Sequence, residues 1–156
     1  MTIFLVRHAK AGNRSDWNGD DWLRPLTTSG QTQARGLLAQ FHAERFTTIL
    51  SSPYVRCMET VVPLASAHGL PIVPTEALAE DHTIDEVLAV LQAHVDGGLV
   101  VCSHGDIIPM VLTHLAALGT DLGVAPRCEK GSTWVIDGDL DAVPTARYLP
   151  PPAPTS

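Results

Sequence analysis

Basic residues are scarce in this sequence: ten Lys and Arg stand against 17 Asp and Glu in 156 residues, giving a formal charge of −7 at pH 7. That balance excludes general adhesion to nucleic acid or to an anionic membrane, because both depend on clustered Lys and Arg. An anionic ligand would have to be met by a local basic pocket. No apolar run approaches the roughly 18 residues that read as a membrane span, and the first six residues lead directly into an apolar, β-rich run rather than a charged signal-peptide start. A cytoplasmic location is expected. Cysteine is sparse as well: Cys57, Cys102 and Cys128 are odd in number and lack CxxC spacing, which excludes a disulfide framework and a zinc ribbon and leaves three reduced thiols. Asp16, Asn18 and Asp20 look like the start of a calcium loop, yet Asp21 stands where that loop needs Gly and Thr27 where it needs Glu. No metal and no cofactor are expected.

What is present is enough apolar material, 45% of residues, for the core of one ordinary domain. Short β-rich runs at 2–6, 47–50, 99–102 and 132–136 predict strands. Between them, helical spacing predicts helices at 31–42, with Ala34, Leu37, Leu38 and Phe41 on one face, and at 55–68, 84–94 and 107–118. Ser29 ahead of the first helix, Asp81 or Thr83 ahead of the third, and Gly69, Gly97 and Gly119 after later ones supply caps and stops. Strands alternating with helices of ten or more residues need crossovers. The expected fold is therefore α/β, three-layer, with a mostly parallel sheet and helices on both faces. A single domain is expected over 1–149, followed by a Pro-rich tail at 150–156, disordered because so many prolines cannot continue a strand.

Open sheets of this kind bind ligands at the carboxyl ends of their strands. Arg7 and His8 follow the first strand, Ser51 and Ser52 the second, and Ser103, His104 and Gly105 the strand at 99–102. Three polar clusters should thus converge on one edge. Elsewhere, Arg56 lies in SSPYVRCMET and Glu80 in EALAED.

In its LVRHAKAG, RPLTTSGQTQA, SSPYVRCMET and VVCSHGD segments, found in that order, the chain resembles the histidine phosphatase superfamily, which includes phosphoglycerate mutases and SixA-type phosphohistidine phosphatases. The likeness spans most of the sequence, roughly 3–135. It implies His8 as nucleophile, Arg7 and Arg56 as phosphate clamps, and His104 as a second pocket histidine that is both catalytic and phosphate-binding. RPLTTSGQTQA resembles the family's helix start, a structural signature more than a catalytic one. Ala9 stands where many members carry Gly, a change other members tolerate. KGSTWV and DDWLRPLT look like the phosphatase domain that follows a Nudix domain in some bacterial nucleotide-pool enzymes, although no Nudix motif is present. Glu80 matches the family's acid only through a loose pattern, so Glu76 and Asp81 stand as rivals.

These residue types suit one chemistry. A transferring phosphoryl group spreads negative charge over its oxygens, which planar Arg forks and a donating His stabilise. A neutral imidazole attacks through one nitrogen when the other holds its proton against an acceptor, commonly a backbone carbonyl. One carboxyl group can then protonate the leaving oxygen and later deprotonate water. The expected activity is a phosphoric monoester hydrolase acting on a phosphorylated small molecule, a nucleotide or a phosphohistidine protein. A mutase-type phosphotransferase is disfavoured because the short connections leave no obvious lid. A non-catalytic phosphate-binding or interaction module is the alternative from another class, and binding alone would not need His8. His42, His68, His82, His94 and His114 carry no motif, and His114 reads as a packing residue. Cys102 reads as a small buried hydrophobe, and Trp17 and Trp22 as packing over their loop rather than an aromatic wall.

Overall fold

The computed structural model describes residues 1–94, 96–124 and 126–153. Six strands form one sheet: β1 (Thr2–Arg7), β2 (Thr48–Ser51), β3 (Ile72–Pro74), β4 (Leu99–Ser103), β5 (Thr133–Asp137) and β6 (Thr145–Leu149), in the order β3-β2-β4-β1-β5-β6. The four strands from β3 to β1 run parallel, and β5 and β6 are added antiparallel at one edge. The helices are α1 (Thr28–Gln40), α2 (Val55–His68), α3 (Ile84–Gln92) and α4 (Ile107–Leu118).

Alternation along the central strands builds the three layers, since successive side chains of a strand face opposite sides. Ile3 and Leu5 of β1, with Leu99 and Val101 of β4, join Val87 and Leu91 of α3 and Val111 and Leu115 of α4 in one core. Phe4 and Val6, with Val100 and Cys102, join Leu37 of α1, Phe41 just past its end, and Val61 and Leu64 of α2 in the other. Both faces of the sheet are therefore covered. Among the described residues no helix is long and apolar enough to cross a membrane.

The structure corrects some local expectations. The cap of α1 is Thr27, whose hydroxyl accepts from Gly30 N, and Ser29 lies inside the helix. Thr83 caps α3 in the same way, and Gly69 and Gly119 close α2 and α4 in left-handed conformation. Strands β3 and β6 were not expected: both lie at sheet edges, and β3 has three residues with Pro74 among them. Trp17 and Trp22 lie exposed on their loop, with Trp17 Nε1 donating to Asp20 O.

After β6 the chain returns over α1. Pro150 O accepts from Gln40 Nε2 at 2.8 Å, and Pro152 sits so close to Gly36 that a Cβ there would come within 2.5 Å of it. Residues 154–156 of the expected tail lie outside the described residues.

Candidate active site

Parallel register brings the ends of β1, β2 and β4 to one edge: Arg7 pairs with Ser103, Ser51 with Cys102, and His8 N donates to Ser103 O at 3.1 Å. A cavity of about 560 Å³ opens there, lined by Arg7, His8, Arg56 and Glu80 together with Arg14, Arg24, Asp81, Asp106 and Lys130.

His8 is buried, and its Nδ1 lies 2.8 Å from Ala9 O. That carbonyl can only accept, so Nδ1 carries the proton and Nε2 keeps its lone pair. Burial, reinforced by the positive fields of Arg56 and Arg7, lowers the imidazole to about 3, outweighing the Ala9 hydrogen bond that raises it. The ring is neutral at any pH near 7. The loop carrying it is tied to α2, because Thr60 Oγ1 accepts from Ala9 N at 2.9 Å while donating to Arg56 O at 2.6 Å.

Arg56 is almost wholly buried at the first turn of α2. Its Nη2 reaches Glu80 Oε1 at 2.8 Å and Asp21 Oδ2 at 3.1 Å, its Nη1 donates to Asp21 O at 3.0 Å, and its guanidinium stands 4.8 Å from the centre of the Tyr54 ring. Arg7 donates through Nη1 to Cys128 O at 2.6 Å. In both arginines the Nε is buried and makes no hydrogen bond among the described residues. Glu80 Oε1 is also held by Arg14 Nη2 at 3.1 Å and lies 3.6 Å from His104 Nδ1.

His104 sits behind His8, with ring centres 5.6 Å apart, and is buried rather than part of the cavity wall. Its Nε2 is 2.8 Å from Ser52 Oγ and 3.6 Å from Cys57 Sγ, and Tyr54 meets its ring at 4.7 Å between centres. The structure thus unites His8, Arg7, Arg56 and Glu80 around one cavity and places His104 in the layer beneath. Of the rival acids, Asp81 lines the cavity, whereas Glu76 lies outside it, near His82.

Sequence reasoning missed Arg14, Arg24 and Asp21. Arg24 is buried, donates to Ala11 O and Gly12 O, and pairs with Asp21, which also pairs with Arg56 and Arg14. Burial pushes the Asp21 carboxyl up, but the Arg24, Arg56 and Arg14 guanidiniums hold it below the usual carboxylate range. The RPLT segment carried the only signal for Arg24. Three or more His, Cys, Asp or Glu placed to hold a metal ion do not occur among the described residues.

Gly105 leaves room for Arg7, since a Cβ there would lie 2.7 Å from Arg7 Cζ and Nη2. Gly105→Ala must therefore move that guanidinium, and we expect kcat/KM for an aryl phosphate to fall by about 10²-fold, the scale of losing one preorganised donor. An unchanged kcat/KM would show that Arg7 is not needed where it stands.

The family model described as histidine phosphatase superfamily (branch 1) matches residues 3–87. The chain belongs to that family. It is 36% identical over 159 residues to a protein of Mycolicibacterium smegmatis named 8-oxo-(d)GTP phosphatase, across 97% of this chain and 48% of that protein, so it spans about half the length of that relative. Its fold is similar to the protein histidine phosphatase SixA solved with tungstate (TM-score 0.75, 21% identity, 99% and 97% of the two chains). It is similar also to the alpha-ribazole phosphatase of Shigella flexneri (TM-score 0.70, 16% identity, 98% and 96%).

Proposed function

We propose that the chain hydrolyses phosphate esters through a phosphohistidine on His8, and that its substrates are nucleotides. One observation carries the reading: a neutral His8 with a free Nε2 shares a cavity with half-buried Arg7 and buried Arg56, each of whose Nε atoms is buried and unpartnered among the described residues. Buried donors without partners are costly unless an acceptor meets them, and a phosphoryl group supplies acceptors on several sides.

In the first step the substrate's phosphate monoanion passes its proton to Glu80, His8 Nε2 forms a bond to phosphorus as the bridging P–O bond breaks, and Glu80 relays that proton to the leaving oxygen. In the second, water attacks the phosphohistidine and Glu80 takes the water's proton as inorganic phosphate departs. Arg7 and Arg56 hold the phosphoryl oxygens throughout. Arg56 binds Glu80 when no phosphate is present, so substrate that takes over Arg56 frees the carboxyl group for proton transfer. His104, wedged between Ser52 and Glu80 beneath the cavity, positions Glu80. The name of the Mycolicibacterium smegmatis relative favours a nucleotide over other phosphate esters.

The guanidinium groups supply the neutralising charge in this scheme, so p-nitrophenyl phosphate should be hydrolysed at an undiminished rate in excess chelator. Activity lost in chelator and restored by one divalent cation would place the chain in a metal-dependent reaction class instead.

A further inference from the structure

A second cavity, of about 790 Å³, adjoins the first. Lys130 lines both, and the second is further walled by Lys10, by Ser29 and Thr32 at the start of α1, and by Pro150–Pro152. We propose that this cavity receives the part of the substrate beyond the transferred phosphoryl group, with Lys10 and Lys130 binding a second phosphate, so that the chain selects nucleoside polyphosphates over monophosphates. The inference rests on the phosphatase reading above and names the substrate class and the residues that choose it.

Three observations support it. The chain as a whole is acidic, yet Lys130 lines the first cavity with Arg7, Arg24 and Arg56 and the second with Lys10. Burial, then the fields of Arg7, Arg24, Arg56 and Lys10, push the Lys130 ammonium below its usual range, which is the sign of a cationic cluster short of negative charge. Arg24 and Arg56 are already paired with Asp21 and Glu80, whereas neither lysine has an ion pair among the described residues. Glu129, the carboxylate in the same cavity, is taken up by Arg127 at 2.7 Å and by the Tyr148 hydroxyl.

The second observation is that both lysines are held in place by one side chain. Gln33 Oε1 accepts from Lys10 N at 2.9 Å, and Gln33 Nε2 donates to Lys130 O at 3.2 Å. Their backbones are clamped to α1, and Gly30 tightens the joint because any Cβ there would lie 2.0 Å from Lys10 O. Two cationic side chains whose backbones are fixed at the rim of the second cavity, one of them also lining the His8 cavity, suit a diphosphate with one phosphate at His8 and the next further out. A monoester offers the lysines nothing. The third observation is the proline wall, a rigid apolar face suited to a sugar or a flat ring. In the reaction, the terminal phosphoryl group moves to His8 Nε2, the P–O–P bridge breaks, and the nucleoside phosphate leaves with the proton from Glu80.

Binding tests this apart from turnover. Guanosine diphosphate, guanosine monophosphate and inorganic phosphate are titrated calorimetrically into the full chain carrying His8→Ala. We expect the diphosphate to bind at least tenfold more tightly than the monophosphate. Adding Lys10→Met or Lys130→Met should shrink that ratio at least fivefold, and adding Ser29→Trp, which fills the second cavity, should shrink it likewise. Equal affinities for the two nucleotides, or a ratio that survives all three substitutions, would overturn the proposal. Hydrolysis of p-nitrophenyl phosphate by the parent chain reports separately on the phosphatase reading.

Discussion

Replacing His8 with alanine is expected to abolish turnover, by about 10⁴-fold or more, while the protein stays folded. The side chain follows β1 and lines the cavity, so alanine leaves both apolar cores intact. Acid-labile label from a ³²P-substrate should be trapped on the parent and absent from the variant. A variant that turned over at the parent rate would end the covalent mechanism. The same substitution has a signature in stability. His8 titrates near 3 when folded and near 6.5 when unfolded, so between those values the unfolded chain binds a proton that the folded chain refuses. The stability owed to the neutral ring is present in full above pH 6.5 and is lost as pH falls toward 3, at a limiting slope of about 1.4 kcal/mol per pH unit. His8→Ala lacks that dependence. Its thermal midpoint should therefore decline less than the parent's between pH 6.5 and 4. Parallel declines would mean that His8 is not held neutral by burial.

The central strands and the helices packed on them were legible because their patterns are strong. Helices α2 and α4 fall at the expected limits, with Gly69 and Gly119 marking where each ends. Helix α1 begins three residues early because Thr27 rather than Ser29 offers its hydroxyl to the first free N–H groups, a choice that depends on Thr27 N also being bound to Lys10 O. Strands β3 and β6 escaped notice since edge strands bury little and need no long apolar run. The loop carrying His8 was legible by its place after a buried strand. The cluster of Arg14, Asp21 and Arg24 beside the cavity was not, because it belongs to a loop without periodicity whose order comes from long-range ion pairs to Arg56 and Glu80. The second cavity was hidden for a similar reason: it exists only where the end of the chain folds back over α1. A helix signature such as RPLTTSGQTQA looks purely structural in sequence, and only the fold reveals that its Gln33 holds the backbones of Lys10 and Lys130 near the His8 cavity.

Glu80→Gln should lower kcat/KM by about 10²–10⁴-fold for alkyl phosphates, whose leaving oxygen is strongly basic, and far less for p-nitrophenyl phosphate, whose phenolate departs without help. Glutamine keeps the length and leaves an oxygen to accept from Arg56 and Arg14, so the static contacts of Oε1 at 2.8 and 3.1 Å are largely preserved while proton exchange is lost. The leaving-group dependence is what separates the two roles open to this residue. If Glu80 only orients Arg56, every substrate suffers equally, because each needs the same clamp; if it delivers a proton, the penalty grows with the basicity of the departing oxygen. The rivals are separable by place. Glu76 is exposed, near His82 and outside the cavity, so Glu76→Gln should show no trend. Asp81 lines the cavity from a left-handed backbone position, φ 65°, with its N–H donated to Asp106 Oδ2 at 3.0 Å, a geometry that aims the loop carrying both acids. A graded loss in Asp81→Asn and a flat one in Glu80→Gln would move the acid one residue along that loop. Because the same carboxyl group is also asked to activate water, burst kinetics must divide the first step from the second: a variant that forms phosphoenzyme at the parent rate but discharges it slowly has lost the base and kept the acid.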